Sequence, residues 1–494
     1  MKKIAIPKEV VDIVHALESA GFEAYPVGGC VRDVLLGIEP RDWDVTTNAK
    51  PEEIRALFQK TFYENKFYTV TIQTDSNHNA LKEIEITTFR SEGRYEDKRR
   101  PSDIKPAKNI EEDLSRRDFT INAIALNKTK EECPSLVDPF GGKDDLEAKL
   151  LRAVGNADER FNEDALRMLR AVRIAITLKF EIEKETASAI MRYAQLLKLI
   201  SKERIRDEFM KIISSDYAQK GVELLHTLGL LKHFFPEIEE GIGVGQNKHH
   251  IYTVWEHNLR ALNYAAKEKY EPLIRLAALF HDIAKPRSKR GDGYDSTFYG
   301  HDVLGAKMTI EVMERLKFSR SEIEKVSKLV RWHLFNYDID TDDATTDSSI
   351  RRLIRNIGEE NIADLVRVRI CDRIGSGVPK AIPYRLRHFQ YRVEKVIREK
   401  EAVRVTMLKI NGEDIIKILN IPPGPKIGHI LNALLEEALD DSSKNTSEYL
   451  LMRVPELGKL SEKELIGLRE KAEEKVEFVE GERQEGIKKK FHIR

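Results

Sequence analysis

Two carboxylates, Asp42 and Asp44, stand two residues apart in Arg41-Asp-Trp-Asp-Val45, shortly after the glycine pair of Tyr25-Pro-Val-Gly-Gly-Cys-Val-Arg-Asp33. In extended backbone alternate residues leave the same face, so both carboxylates can share divalent ions. Gly28 and Gly29, lacking side chains, let a triphosphate approach the backbone N–H groups at a helix start. The chemistry this pairing points to is metal-assisted phosphoryl displacement on a nucleotide. Two ions about 3.5–4 Å apart would clamp the attacking and leaving oxygens. Each half alone is a common surface feature, because Gly-Gly turns are frequent and most Asp-X-Asp pairs are solvated.

Further along, Lys82-Glu-Ile-Glu-Ile-Thr-Thr-Phe-Arg90 alternates as a strand and offers Glu83 or Glu85 as a third carboxylate. Glu112-Asp-Leu-Ser-Arg-Arg-Asp-Phe-Thr-Ile-Asn-Ala-Ile-Ala125 follows. Arg116 and Arg117 can neutralise a triphosphate there, and Asp118 and Asn122 carry the groups that bind a ribose. The plain alternative is an N-capped amphipathic helix. In Glu163-Asp-Ala-Leu-Arg167 the helical period makes Asp164 and Arg167 neighbours on one helix face. A carboxylate acceptor beside guanidinium donors matches the amine and ring nitrogen of cytosine and adenine and refuses guanine and uracil. An intrahelical salt bridge worth about 0.3–0.5 kcal/mol accounts for the same spacing.

A second constellation lies at His281-Asp282, which ends the apolar run 273–280, with His257 upstream and Asp372 downstream. Together these form an N/O donor set suited to Mn, Fe, Co, Ni or Mg, and His301 and His333 can add a second ion.

The elements that must position these groups divide the chain. At 494 residues it exceeds a single core. Up to about residue 145, β-branched runs such as 68–73 and 84–89 alternate with helical stretches such as 51–59. Beyond it, apolar residues recur at helical spacing through 146–176, 184–200, 202–214 and 219–231. The expected class is therefore α+β, with a small mixed head (1–145) and helical modules over 146–240, 241–380 and 381–494. From Pro455 onward the charged segment reads as a short helix and a mobile tail.

With 41% hydrophobic and 34% charged residues the composition fits a folded, helix-rich protein. No run reaches transmembrane length, the start lacks a secretory pattern, and Cys30, Cys133 and Cys371 lack disulfide or zinc spacing. A cytoplasmic protein is expected, without a membrane partner. The formal net charge is zero, so any polyanion site is local. The candidates are the arginine-rich 90–100, 160–173 and 384–392, each of which also reads as a solvated helix face.

Taken together, the first set of motifs resembles the class II tRNA nucleotidyltransferases, the CCA-adding enzymes of the polymerase-β-like superfamily. The motifs are Val27-Gly-Gly-Cys-Val-Arg-Asp33 with Asp42-Trp-Asp44, Arg116-Arg-Asp-Phe-Thr-Ile-Asn-Ala123, Asp138-Pro-Phe-Gly-Gly142, Glu163-Asp-Ala-Leu-Arg-Met-Leu-Arg170 and Ser201-Lys-Glu-Arg-Ile-Arg-Asp-Glu208. The resemblance implies a polymerase-β-like head with helical neck, body and tail, acting on tRNA 3′ ends with CTP and ATP. It implies Mg2+ on Asp42 and Asp44, with Glu85 as a possible third carboxylate. The implied nucleotide-binding set is Gly28, Gly29, Arg32, Arg116, Arg117, Asp118, Asn122, Asp164, Arg167, Arg170 and Arg173. Arg204 and Glu208 would steady the neck, and 90–101 is similar to the family's flexible loop.

Members that add only the terminal A share these motifs, so that reading stays open. His257, His281-Asp282 and Asp372, with the flanking Leu-Ala-Ala-Leu-Phe and Ile-Ala-Lys-Pro, resemble the HD phosphohydrolase superfamily. That implies a divalent, possibly transition, metal and hydrolysis of cyclic or 2′-phosphorylated nucleotides. A stand-alone HD hydrolase with an RNA-recognising head is the remaining alternative.

Overall fold

Val70, Ile72, Ile84 and Ile86 alternate with Thr69, Thr71, Glu85 and Thr87, and this period of two divides the head sheet into a core face and a cleft face. The computed structural model describes residues 6–64, 68–92, 104–127, 135–247, 251–338, 345–377, 382–401, 408–440, 444–461, 463–468 and 491. Its strands β1 (Ala24–Pro26), β2 (Asp44–Thr47), β3 (Thr61–Glu64), β4 (Thr69–Gln73) and β5 (Glu83–Thr88) form a sheet in the order β1-β2-β5-β4-β3. Only the β2–β5 pairing is parallel, and its register sets Asp44 opposite Glu85.

Helices α1 (Lys8–Ser19), α2 (Gly29–Leu36) and α3 (Pro51–Leu57) pack around the sheet. α1 buries Val10, Ile13, Val14 and Leu17, one helical stripe. Each such side chain contributes about 1.5–3 kcal/mol when fully buried.

Asp42 does not share the strand as its spacing predicts: it lies exposed in a bend just before β2. The segment 116–123 is likewise no amphipathic helix. Helix α4 (Ile110–Ser115) ends before it, and after a turn comes a single 3-10 turn at Thr120–Asn122. In the Asp138-Pro-Phe-Gly-Gly142 motif, the Asp138 carboxylate accepts the N–H groups of Gly142 (2.7 Å) and Lys143 (2.8 Å), starting α5 (Gly142–Ala148). A Cβ on Gly142 would stand 2.2 Å from the Thr120 carbonyl oxygen, so only glycine lets α5 approach that turn.

The single helical run expected over 146–176 is broken. Leu150–Leu151 pairs in parallel with Glu181–Ile182. The chain then forms α6 (Ala157–Glu163) and α7 (Leu166–Leu178), separated at Asp164, whose φ of −139° and ψ of 101° are extended. α8 (Lys184–Tyr193), α9 (Lys202–Ile213) and α10 (Ala218–Thr227) follow, and α7, α9 and α10 pack together.

Next come α11 (Val254–Lys267), α12 (Pro272–Phe280), α13 (Lys285–Ser288), α14 (His301–Arg315) and α15 (Arg320–Trp332). Capping boxes, Thr253 with Glu256 and Ser319 with Glu322, start α11 and α15. α16 (Asp347–Ile357) precedes α17 (Ile362–Gly375). α18 (Tyr384–Glu401), α19 (Gly412–Leu419), α20 (Pro425–Asp440) and α21 (Ser447–Gly458) complete the described helices above single turns. α21 runs through Pro455 instead of ending there.

The chain divides into two compact units. The first comprises 1–334 with 363–379, and the second 335–362 with 380–494. In the second unit, Ile415, Ile430, Leu434, Leu450 and Val454 form the centre of a core of their own. A small mixed sheet followed by helices is the α+β class that the sequence predicts. Among the described residues no helix is long and apolar enough to cross a membrane.

Candidate active site

The polar face of the head sheet opens into a cleft of about 400 Å3 lined by Asp44, Phe62, Thr71, Glu85, Arg90, Arg116 and Arg117, among others. Asp44 and Glu85 face each other because their strands pair in parallel at that register. Burial pushes the Asp44 carboxyl up to about 6; Arg117 opposes that rise, and the charges of Asp42 and Glu85 add to it. Three carboxylates in mutual electrostatic reach beside one partly buried strand end form a set that a divalent cation relieves.

At the N-terminus of α2, Gly28 has a φ of +87°, and a Cβ there would meet Arg117 Nη1 at 2.9 Å. Glycine is therefore what allows the backbone to reach the arginine.

The opposite wall depends on a carboxylate that sequence reasoning passes over. Asp113 is fully buried and accepts from Arg116 Nη2 at 2.7 Å and from Arg117 Nη2 at 3.2 Å. It also accepts the Arg90 N–H at 3.3 Å. Burial alone would raise its carboxyl, but the two guanidiniums hold it below the usual range. Asp113 sits in Glu111-Glu-Asp113, where all three acids read equally as first-turn helix charges. The Asp113→Asn variant should lose about 3 kcal/mol of unfolding free energy by urea titration, since removing one partner strands buried charge. An unchanged midpoint would show that the arginines do not depend on it.

The expected ribose set is joined as a network. Arg32 Nη1 donates to Asn122 Oδ1 (2.8 Å), Asn122 Nδ2 to Asp118 Oδ1 (3.1 Å), and Arg170 Nε to Asp118 Oδ2 (2.8 Å). Burial opposes ionisation of Asp118, but Arg170 foremost and the Asn122 hydrogen bond bring it down to about 2. Arg32 also pairs with the adjacent Asp33.

Asp164 and Arg167 are not neighbours on a continuous helix, and their side chains pair with different partners. The Asp164 carboxylate accepts from Arg204 at 2.6 and 3.3 Å and caps the Leu166 N–H. Arg167 donates to Glu163 Oε2 (2.6 Å) and to the carbonyls of Arg116 (2.9 Å) and Arg160 (3.2 Å). Its guanidinium is thus fixed between neck and head. Arg173 pairs with Glu208 at 2.7 Å, and Lys211 holds the same carboxylate at 2.9 Å.

In the second constellation the structure brings all four expected donors together. One ligand atom from each of His257, His281, Asp282 and Asp372 falls within 4.8 Å of the others, and all four residues are buried. The two Nε2 atoms of His257 and His281 face each other at 2.8 Å. His281 Nδ1 lies 2.7 Å from the Ala278 carbonyl oxygen, so Nδ1 donates and Nε2 is presented to the cluster. Burial would lower His281, yet Asp282 and Asp372 push it up to about 10. The field that retains that proton equally suits a cation.

Lys285 Nζ, 2.6 Å from Asp282 Oδ2, and Arg369, 2.7 Å from Asp372 Oδ2, complete the surroundings. Sequence reading gives neither a role, although each stands three residues from its aspartate. Most of the flexible-loop segment (93–101), Cys133 and the tail beyond 468, apart from residue 491, lie outside the described residues.

Three comparisons follow the same division of the chain. Residues 24–152 match the poly A polymerase head domain, residues 179–242 the probable RNA and SrmB-binding site of polymerase A, and residues 254–375 the HD domain. A CCA-adding enzyme of Enterococcus faecalis is 30% identical over 461 residues, covering 91% of this chain and 97% of the relative. An A-adding tRNA nucleotidyltransferase of Deinococcus radiodurans is 34% identical over 66% of this chain and 75% of its own length. Several other relatives, at higher identity, align over only about half of their own length. Among solved structures, the Bacillus stearothermophilus CCA-adding enzyme in complex with CTP superposes with a TM-score of 0.54 at 26% identity, covering 92% of this chain and 97% of that one.

Proposed function

This chain belongs to the tRNA nucleotidyltransferase family that includes CCA-adding and A-adding enzymes, and from that membership we propose that it transfers CMP and AMP from CTP and ATP to the 3′ end of tRNA without a template. The observation that carries the reading is Asp44 set opposite Glu85 in a cleft walled by Arg116 and Arg117. The tRNA 3′-hydroxyl attacks the α-phosphorus in line and pyrophosphate leaves. Asp42 and Asp44, with Glu85 as the third carboxylate, would hold two divalent ions, Mg2+ being the expected species. When bound, these ions supply Lewis-acid stabilisation of the attacking and leaving oxygens.

The chain's own groups do the rest. Arg116 and Arg117, held by Asp113, meet the triphosphate as preset forks. Gly28 and Gly29 let it approach the start of α2, with Arg32 beside them. Asp118 and Asn122 hold the ribose, and Arg170 and Arg173 anchor the nucleotide-binding helix to Asp118 and Glu208. Asp164 and Arg167 read the base edge, and Arg204 and Glu208 steady the neck behind them. The four-module division into 1–145, 146–240, 241–380 and 381–494 and a cytoplasmic location belong to the same reading.

Because burial and its carboxylate neighbours raise Asp44, a proton competes with the ion there. Calorimetric titration of Mg2+ into nucleotide-free protein should show affinity level above about pH 7 and falling about tenfold per unit below about pH 6. The Asp44→Asn variant should lose that slope. A flat profile from pH 5 to 8 in the unmodified protein would contradict it.

Addition of the terminal A alone is favoured by the Deinococcus relative. Purified protein offered tRNAs ending before CCA, after C and after CC, with labelled CTP or ATP, separates the two. Growth on all three supports CCA addition, and growth only on the last supports A addition.

A further inference from the structure

Asp282 has two carboxylate oxygens, and they face different nests. Oδ2 lies 3.1 Å from His257 Nε2 and 3.3 Å from His281 Nε2. Oδ1 lies 3.3 Å from His301 Nε2 and 3.5 Å from His333 Nε2. Both of these further histidines are buried and keep their other ring nitrogen on a backbone carbonyl. His301 Nδ1 is 2.5 Å from Phe298 O, and His333 Nδ1 is 2.7 Å from Val330 O. The Nδ1–H donates in each case, so Nε2 presents a lone pair toward Asp282. His301 Nε2 and both Asp282 oxygens are buried without a hydrogen-bond partner of normal geometry. Buried polar atoms left so, aimed at one another, are costly unless something electropositive lies between them.

The nests open into a cavity of about 630 Å3, within the range of small-molecule sites. Lys285, Arg369 and Arg373 line it beside Asp282 and Asp372, so three cations outnumber two carboxylates before any metal is counted. Phe298, Tyr299 and Leu334 supply an apolar wall, and Tyr299 is 83% exposed at its rim. Acid-paired cations around metal ligands form an anion site, and a flat apolar wall beside it suits the body of a nucleoside.

We propose that Asp282 bridges two divalent ions, one held with His257, His281 and Asp372 and the other with His301 and His333, in a phosphomonoester hydrolase site separate from the head. Lys285, Arg369 and Arg373 take the phosphate of a nucleotide-sized monoester. Water oxygen forms a new bond to phosphorus, the ester P–O bond breaks, and the leaving alcohol takes a proton from that water, giving orthophosphate. The site stands whether or not the head transfers nucleotides.

The test uses the full chain loaded with Mn2+ after chelator treatment. Electron paramagnetic resonance should show an exchange-coupled pair of ions, and p-nitrophenyl phosphate should be hydrolysed. His301→Ala and, should that variant misfold, His301→Gln should lose the coupled signal and reduce kcat at least about a hundredfold. Arg373→Ala should instead raise KM about tenfold with kcat little changed. A nucleoside 3′-monophosphate and an RNA ending in a 3′-phosphate, assayed side by side, show whether the monoester is free or polymer-borne. An uncoupled signal alone, or hydrolysis indifferent to both His301 variants, overturns the proposal. CMP and AMP incorporation, followed in parallel, reports on the head independently.

Discussion

Asp44→Ala lowers nucleotide incorporation into tRNA by at least about a thousandfold, roughly 4 kcal/mol of transition-state stabilisation, while tRNA affinity stays within about twofold. The size follows from position. Asp44 opens β2 directly across from Glu85, and Asp42 sits on an exposed bend where it cannot stand in for the lost carboxylate. The fold should not suffer. Val45 beside it keeps its place in the core, and Asp44 is a group whose ionised form is disfavoured by burial and by two neighbouring carboxylates. The melting temperature of the metal-free variant should therefore match or exceed that of the unmodified protein. Near-normal incorporation, or a collapse in melting temperature that accounts for the loss, would remove Asp44 from the reacting centre.

Arg167→Ala erodes the preference for CTP over UTP, measured as the ratio of kcat/KM on tRNA lacking CCA, by at least about a hundredfold. A site that hydrogen-bonds its ligand rejects an analogue because the wrong edge leaves buried groups unpaired. Arg167 is set for that by Glu163 and by the carbonyls of Arg116 and Arg160, which fix the guanidinium plane before nucleotide arrives. Lysine cannot restore it, having no planar fork. Its contact with the Arg116 carbonyl also ties base reading to a residue whose side chain lines the cleft. An unchanged preference in Arg167→Ala would place selection elsewhere.

The head was legible in the sequence because its signals are local. The alternation over 83–88 sets Glu85 on the cleft face, and a glycine pair before a helical run marks the turn whose φ at Gly28 only glycine tolerates. What failed depends on distant partners. Nothing within Glu163-Asp-Ala-Leu-Arg167 interrupts the helical period. The break at Asp164 coincides with a carboxylate bound to Arg204, 40 residues on. The same holds for Leu150–Leu151, whose ladder partner is Glu181–Ile182. Asp113 was hidden among three consecutive acids of which one is buried against two arginines. The HD-like cluster was legible as residue types, and the fold brings those types together. Lys285 and Arg369, three residues from their aspartates, carried a spacing signal that a helix-face reading would have used.

The account's central claim is that this chain builds C and A onto tRNA from its own side chains, with no nucleic-acid template. Its most direct test is to incubate the protein with Mg2+, all four ribonucleoside triphosphates and a tRNA lacking its last three nucleotides, then sequence the 3′ ends. The account predicts ends extended by C, C and A, with G and U excluded. Ends left unextended, or extended with G or U as readily as with C and A, would contradict it.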